Sequence, residues 1–183
     1  MFEELISRLG TSLSKRKIPY MVIGGQAVLL YGSPRLTKDI DITLGVSVDR
    51  LAEMEELCHS EHLKILPEEH KRFVQETYVF PVKDETTGIR IDFIFSYTPY
   101  EEQAIKRAKR VRLGNGDAQF ASVEYVIIHK IFSGRPRDME DVRNIMVKNP
   151  DMDRAYIRKW LQEFDKTVES SKFTISFEKI LEE

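Results

Sequence analysis

The residues that most restrict what this chain can fold into run from Tyr20 to Leu44: an apolar run, two glycines, a second apolar run, a polar loop, and two aspartates separated by one isoleucine. Tyr20 to Ile23 reads as a short strand that stops at Gly24-Gly25, and Gln26 to Tyr31 then reads as helix until Gly32 ends it. Two glycines at such a turn permit positive φ and let a bulky anion approach the main chain, while the helix start beyond them offers unpaired N–H groups. A triphosphate fits that environment. After the loop Ser33 to Lys38, the segment Asp39-Ile-Asp-Ile-Thr-Leu44 alternates polar and apolar, as a strand with one buried face does. Asp39 and Asp41 therefore point the same way, and side-by-side carboxylates are hard oxygen donors suited to Mg²⁺ held through few protein ligands plus substrate phosphates. The plainer alternative is a solvated edge strand after an ordinary turn. Asp is depleted in strand interiors, so a pair flanking Ile40 needs a cause, and the Gly-Gly turn before it supplies one.

The pattern Gly24-Gly25, Gly32-x-x-Arg35-x-Thr37-x-Asp39-x-Asp41 resembles the signature of DNA polymerase β-type nucleotidyltransferases, in particular minimal ones related to AbiEii-type toxins. The resemblance implies an α+β fold with a mixed sheet flanked by helices, and Mg²⁺-dependent transfer of an NMP from an NTP to a hydroxyl of an RNA, such as tRNA, or of a protein. It implies a third carboxylate on a neighbouring strand, and Asp92 in Ile91-Asp92-Phe93 stands at the matching place. Asp39, Asp41 and Asp92 are then the expected catalytic residues and the ligands of two Mg²⁺ ions, with Mn²⁺ as a substitute. Gly24 and Gly25 are expected to cradle the β- and γ-phosphates, with Arg35 on a phosphate and Thr37 bracing the loop. Many relatives carry Gly-Ser at this turn; Gly25 in the serine's place implies a cradle made of backbone alone. The likeness continues into Lys130, Arg135, Arg137, Asp138 and Asp141, a lysine on a helix followed by arginines and aspartates beyond a turn. Lys130 is expected to neutralise the triphosphate; the alternative for the group is an Arg–Asp network that fixes the turn. A toxin-like member of the family would also have a cognate antitoxin as partner.

Composition sets the outer limits. A chain of 183 residues with 42% hydrophobic content suits a catalytic core over residues 1–121 and a helical segment over 122–183 packed on it. A net charge of −2 excludes a protein that is basic all over but allows a local patch, for which Lys106, Arg107, Lys109, Arg110 and Arg112 are candidates as a docking surface for a phosphate-rich acceptor. Cys58 is the lone cysteine, as in a reduced cytosolic protein, and no apolar run is long enough to span a bilayer, so a cytoplasmic protein without a membrane partner is expected.

Elsewhere the spacing predicts helices over 2–16, 48–59, 98–109, 122–132, 138–147, 153–164 and 171–181, and a brief helical or irregular segment from Pro67 through Phe73. Strands are expected at 63–66, at 77–82 and 89–95 as an antiparallel hairpin, and on either side of the turn Gly114-Asn115-Gly116-Asp117. Alternation leaves Arg90, Asp92 and Ile94 on one face of their strand, so Asp92 either pairs with Arg90 or joins the other two aspartates. Two further functional readings use the same residues. A catalytically silent nucleotide-binding regulator or antitoxin-type partner would keep the fold without turnover. A dinucleotide-binding turn at Gly24-Gly25 lacks the fuller glycine spacing and leaves Asp39 and Asp41 unexplained.

Overall fold

The computed structural model describes residues 1–34, 36–96 and 98–182. In chain order the elements are α1 (Phe2–Lys15), β1 (Tyr20–Ile23), α2 (Gly24–Tyr31), β2 (Asp39–Leu44), α3 (Leu51–Ser60), β3 (Leu63–Ile65), α4 (His70–Thr77), β4 (Val79–Asp84), β5 (Arg90–Phe95), α5 (Pro99–Lys106), β6 (Lys109–Leu113), β7 (Gly116–Phe120), α6 (Val123–Ser133), α7 (Pro136–Lys148), α8 (Arg154–Thr167) and α9 (Lys172–Glu182). This is the expected mixed α/β architecture. The chain divides into two compact units, one built of residues 1–27 with the segment from Leu36 to Ala121, the other of the end of α2 with everything from Ser122 onward.

In the first unit the strands form one mixed sheet in the order β3-β4-β5-β2-β1-β7-β6. β2 lies antiparallel to β1 and parallel to β5, and β1 lies parallel to β7. Ile40 and Ile42 on β2 and Ile91 and Phe93 on β5 are fully buried, whereas Asp39, Asp41 and Asp92 between them are only partly covered. Period-2 alternation thus sends the apolar set into the core and the carboxylates to the opposite face. The apolar stripe Leu5, Ile6, Leu9 and Leu13 of α1 is buried, as helical spacing requires.

Several boundaries differ from the sequence expectation, among them α2, which starts at Gly24 rather than Gln26, and α7, which starts at Pro136 rather than Asp138. The segment expected to end at Phe73 is a helix that continues to Thr77, whose hydroxyl donates to the Phe73 carbonyl at 2.8 Å, and Tyr78 closes it in the left-handed region at φ 59°. The following strand therefore starts at Val79, two residues later than its β-rich composition suggests. The helix expected to reach Lys109 stops at Lys106, because Lys109 already pairs with Phe120 in the β6–β7 hairpin. The helix expected from Val48 is preceded by a 3-10 turn, Val48–Arg50, capped by Ser47, whose hydroxyl accepts from the Asp49 amide, and α3 itself starts at Leu51.

Asp84, at the β4 end of the hairpin, is 1% exposed and holds the turn together. It accepts from the Thr87 amide and hydroxyl, each at 2.7 Å, and from the Arg8 guanidinium of α1. Burial alone would raise its pKa; the Thr87 and Arg8 hydrogen bonds outweigh that and hold it below the usual carboxylate range.

Burial pushes the Cys58 thiol, on the inner face of α3, up to about 12. The native protein is expected to resist a thiol reagent at pH 8 and to react fully once denatured, because the thiolate is the reactive form. Rapid labelling of native protein would contradict this placement.

The second unit is helical. The Ser122 hydroxyl accepts from the Tyr125 amide to cap α6, and Gly134, at φ 65°, ends it in the left-handed region that a Cβ disfavours. Buried Asp165 accepts the Phe173 and Thr174 amides at 3.0 and 2.9 Å, joining α8 to the first turn of α9. Among the described residues no helix is long and apolar enough to cross a membrane.

Candidate active site

The candidate site forms on the polar face of β2 and β5. In their parallel register Asp39 stands beside Arg90 and Asp41 beside Asp92. Neighbouring strands lie about 4.8 Å apart, so residues paired in register and facing one side are neighbours. Asp39 and Asp41, two residues apart on β2, share that face. The expected three carboxylates are thus brought to one face from two adjacent strands.

The glycine corner meets the same place. On the other side of β2, Ile23 pairs with Asp41, and Gly24 follows at once. Gly24 has φ 62°, and a Cβ built on it would overlap Asp41 Oδ2 and lie 2.9 Å from Asp41 Cγ. The Asp41 carboxylate therefore rests against the main chain where α2 begins, an approach only glycine permits. Helix α2 starts at Gly24 itself, so both glycines belong to its first turn, whose N–H groups have no intrahelical partner. Gly25 is buried. Replacing Gly24 by alanine is expected to cost about 1–2 kcal/mol from left-handed backbone alone, and also to push the Asp41 carboxylate away. A lowered melting temperature together with weakened binding of inorganic triphosphate would report both effects.

Thr37 braces Asp39, its hydroxyl lying 3.3 Å from Asp39 Oδ1 and 3.4 Å from the Asp39 carbonyl. Gln26, 8% exposed on α2, reaches the same carbonyl at 3.5 Å. Its position as the first residue after the glycines was the available signal, but an amide there reads as ordinary helix surface. Arg90 donates from Nε to Asp92 Oδ1 at 2.9 Å. Its pKa is raised, first by that hydrogen bond; burial opposes it as the next largest effect, and the charges of Asp92, Asp39 and Asp41 add to the rise. Alternation had put Arg90 on the Asp92 face without giving it a part in the site. Arg35, expected on a phosphate, lies outside the described residues.

Lys130 belongs to the second unit, where its ammonium lies 2.7 Å from both Asp138 Oδ1 and Asp141 Oδ2. Asp138 also accepts from the Ser133 hydroxyl at 2.8 Å, and Arg135 approaches it at 4.0 Å from an exposed position. These contacts are those of an ionic network fixing the α6–α7 turn. Neighbouring His129 stacks on Tyr125, and burial lowers its pKa to about 4, so the ring is neutral at pH 7. In the basic cluster, Lys106 pairs with Glu102, and Arg110 and Arg112 both pair with Asp117, which neutralises part of the patch.

Among the described residues, no three His, Cys, Asp or Glu side chains form a group that holds a metal by themselves. Mg²⁺ does not require such a cage, because it keeps waters and substrate phosphates in its shell. Two adjacent carboxylates of β2 with a third beside them, and bare glycine backbone next to Asp41, fit that mode of binding.

The sequence matches the family described as nucleotidyl transferases of unknown function (DUF2204) over residues 2–182. The chain belongs to that family. A search of curated proteins finds no match. The fold of this nucleotidyl transferase is similar to that of an antigenic nucleotidyltransferase-like protein from Paracoccidioides brasiliensis, with TM-score 0.59 and 16% identity over 94% of this chain and 91% of the other. It is also similar to the antibiotic-resistance factor ANT(2'')-Ia in solution, with TM-score 0.61 and 16% identity over 91% and 94% of the two chains. A nucleotidyltransferase from Thermotoga maritima aligns with TM-score 0.51 and 17% identity over 88% and 93%. At these identities the likeness is one of fold.

Proposed function

We propose that this nucleotidyl transferase moves an NMP from an NTP to an acceptor hydroxyl with the help of Mg²⁺, using Asp39, Asp41 and Asp92. The observation that carries the reading is the register of Asp41 directly beside Asp92, with Gly24 against the Asp41 carboxylate. Asp39 and Asp41 would hold the metal; the start of α2 receives the β- and γ-phosphates on backbone N–H groups. Asp92 completes the donor set, orients the acceptor hydroxyl and accepts its proton. When bound, the metal ions neutralise charge on the entering and leaving oxygens of an in-line displacement at the α-phosphate, from which pyrophosphate leaves. Thr37 holds Asp39 in place.

The proposed acceptors are RNA and protein hydroxyls. The crystal structure of ANT(2'')-Ia with adenylyl-2''-tobramycin, similar to this chain at TM-score 0.55 and 19% identity, adds a small-molecule hydroxyl to those worth testing. Incubating the protein with each labelled NTP and with RNA, protein and small hydroxyl acceptors, beside an Asp41→Ala control, tests the reading. Label transfer that needs Asp41 supports it; equal transfer by both proteins overturns it. A toxin-like role with a cognate antitoxin is the form implied by the AbiEii resemblance, and growth arrest on expression, relieved by Asp41→Ala, is its measurement.

The Arg90–Asp92 ion pair and the missing hydroxyl at Gly25 favour a second reading, a nucleotide-binding regulator without turnover. Metal-dependent NTP binding without transfer to any acceptor would select it.

A further inference from the structure

Arg90 brings a fixed positive charge onto the carboxylate face. It stands beside Asp39 in the strand register, and its Nε donates to Asp92 Oδ1 at 2.9 Å. The guanidinium side chain is 53% exposed and that of Asp92 18%, so the pair contributes little to folding. Its weight falls instead on what the carboxylates are free to bind. A divalent cation that uses Asp92 Oδ1 competes with the guanidinium for that oxygen, and one held by Asp39 and Asp41 is repelled by it. The planar, always charged fork of arginine also suits a phosphate better than a single carboxylate oxygen.

We propose that Arg90 is the resident counter-ion of the site: it holds Asp92 away from the metal, and moves to the triphosphate when nucleotide enters. This rests on the nucleotidyl-transfer reading and adds to it a coupling between metal and nucleotide. Triphosphate draws Arg90 off Asp92, and Asp92 then completes the metal site. Each ligand therefore tightens the other, and by the same factor. Arg90 acts here as a positioning residue for Asp92 and as a contact for phosphate.

The experiment is a Mn²⁺ titration of the full-length protein, followed by electron paramagnetic resonance, with and without inorganic triphosphate, which carries the charge of any NTP without choosing a base. Removing one positive charge near a divalent ion in water-exposed surroundings is worth about tenfold in affinity. Arg90→Gln is expected to bind Mn²⁺ about tenfold more tightly than the parent without triphosphate, to bind triphosphate more weakly, and to lose most of the coupling. Arg90→Lys keeps the charge but not the fork, so its Mn²⁺ affinity should stay near that of the parent while triphosphate affinity falls partway. A merely structural arginine would move neither affinity in this pattern.

Mn²⁺ affinity that is unchanged or weaker in Arg90→Gln, at an unaltered circular dichroism spectrum, overturns the proposal. Asp41→Ala separates the two levels. If it loses Mn²⁺ binding while Arg90→Gln behaves as the parent, the counter-ion role fails and the site stands. If Asp41→Ala binds Mn²⁺ as the parent does, or if no variant binds it under either condition, the site reading itself fails.

Discussion

Replacing Asp41 by asparagine is expected to lower nucleotidyl transfer by at least about 10³-fold while leaving the protein folded. The side chain keeps its size and loses its charge, so packing is spared and metal binding is not. Asp41 is the carboxylate on which the other features converge: it is two residues from Asp39, beside Asp92 in register, and against the Gly24 backbone. A 10³-fold loss corresponds to about 4 kcal/mol of transition-state stabilisation, within what a metal clamp on a phosphoryl group supplies. The check is the rate of label transfer at saturating Mg²⁺ and NTP, with circular dichroism to show that the fold is kept. A variant retaining more than about a tenth of the parent rate would remove Asp41 from the chemistry.

The largest stability effect is expected at Lys130. Its side chain is 11% exposed and those of Asp138 and Asp141 are 14% and 13% exposed. Lys130→Met leaves two mostly buried carboxylates without their shared cation, which costs about 3–5 kcal/mol. For a chain of this length that is a fall of roughly 6–20 °C in melting temperature. The pH dependence carries a sign that packing loss alone would not produce. Burial by itself would raise the Asp138 pKa, but hydrogen bonds from Lys130 and Ser133 hold it below the usual carboxylate range. The parent's contribution from Asp138 is therefore present above the unfolded value, about 3.9, and lost as pH falls through the lower folded value. In Lys130→Met burial still raises the Asp138 pKa while the Lys130 hydrogen bond that opposed it is gone, so Asp138 protonates more readily than in the parent and mild acid should narrow the variant's deficit. Thermal unfolding of both proteins from pH 7 to pH 4 measures this. A gap that does not change with pH would mean the lysine acts only through its hydrocarbon stem.

The features that were readable in the sequence are the local ones. Gly24-Gly25 and Asp39-Ile-Asp41 are punctuation and alternation within a few residues, and the two strands occur where they predict, with the helix between them starting at Gly24 rather than after the glycines. The pairing of Asp41 with Asp92 joins residues far apart in the chain, and no periodicity within either strand encodes it; only the family resemblance pointed there. Arg90 shows the limit of alternation, which gives the face of a side chain but not its partner. Lys130 shows a related limit: its two carboxylates lie beyond the break at Gly134, so helical spacing does not connect them to it. The misplaced ends of α4 and α5 have the same origin, since β-rich or basic composition is overruled by the strand each neighbouring residue pairs with.

The position of β1 bears on how this protein is made. Its partner on one side, β2, emerges from the ribosome soon after it, but its partner on the other, β7, follows only after the whole of β3 to β6. The carboxylate face can form once Phe95 has left the ribosome, whereas the β1 backbone waits for Val22 to meet Phe120. A nascent chain paused in that interval presents an apolar strand with open N–H and C=O groups, the kind of edge that recruits a foreign strand. The speed at which residues 96–120 leave the ribosome thus becomes a determinant of yield, and a delay at that stage should favour aggregation over product.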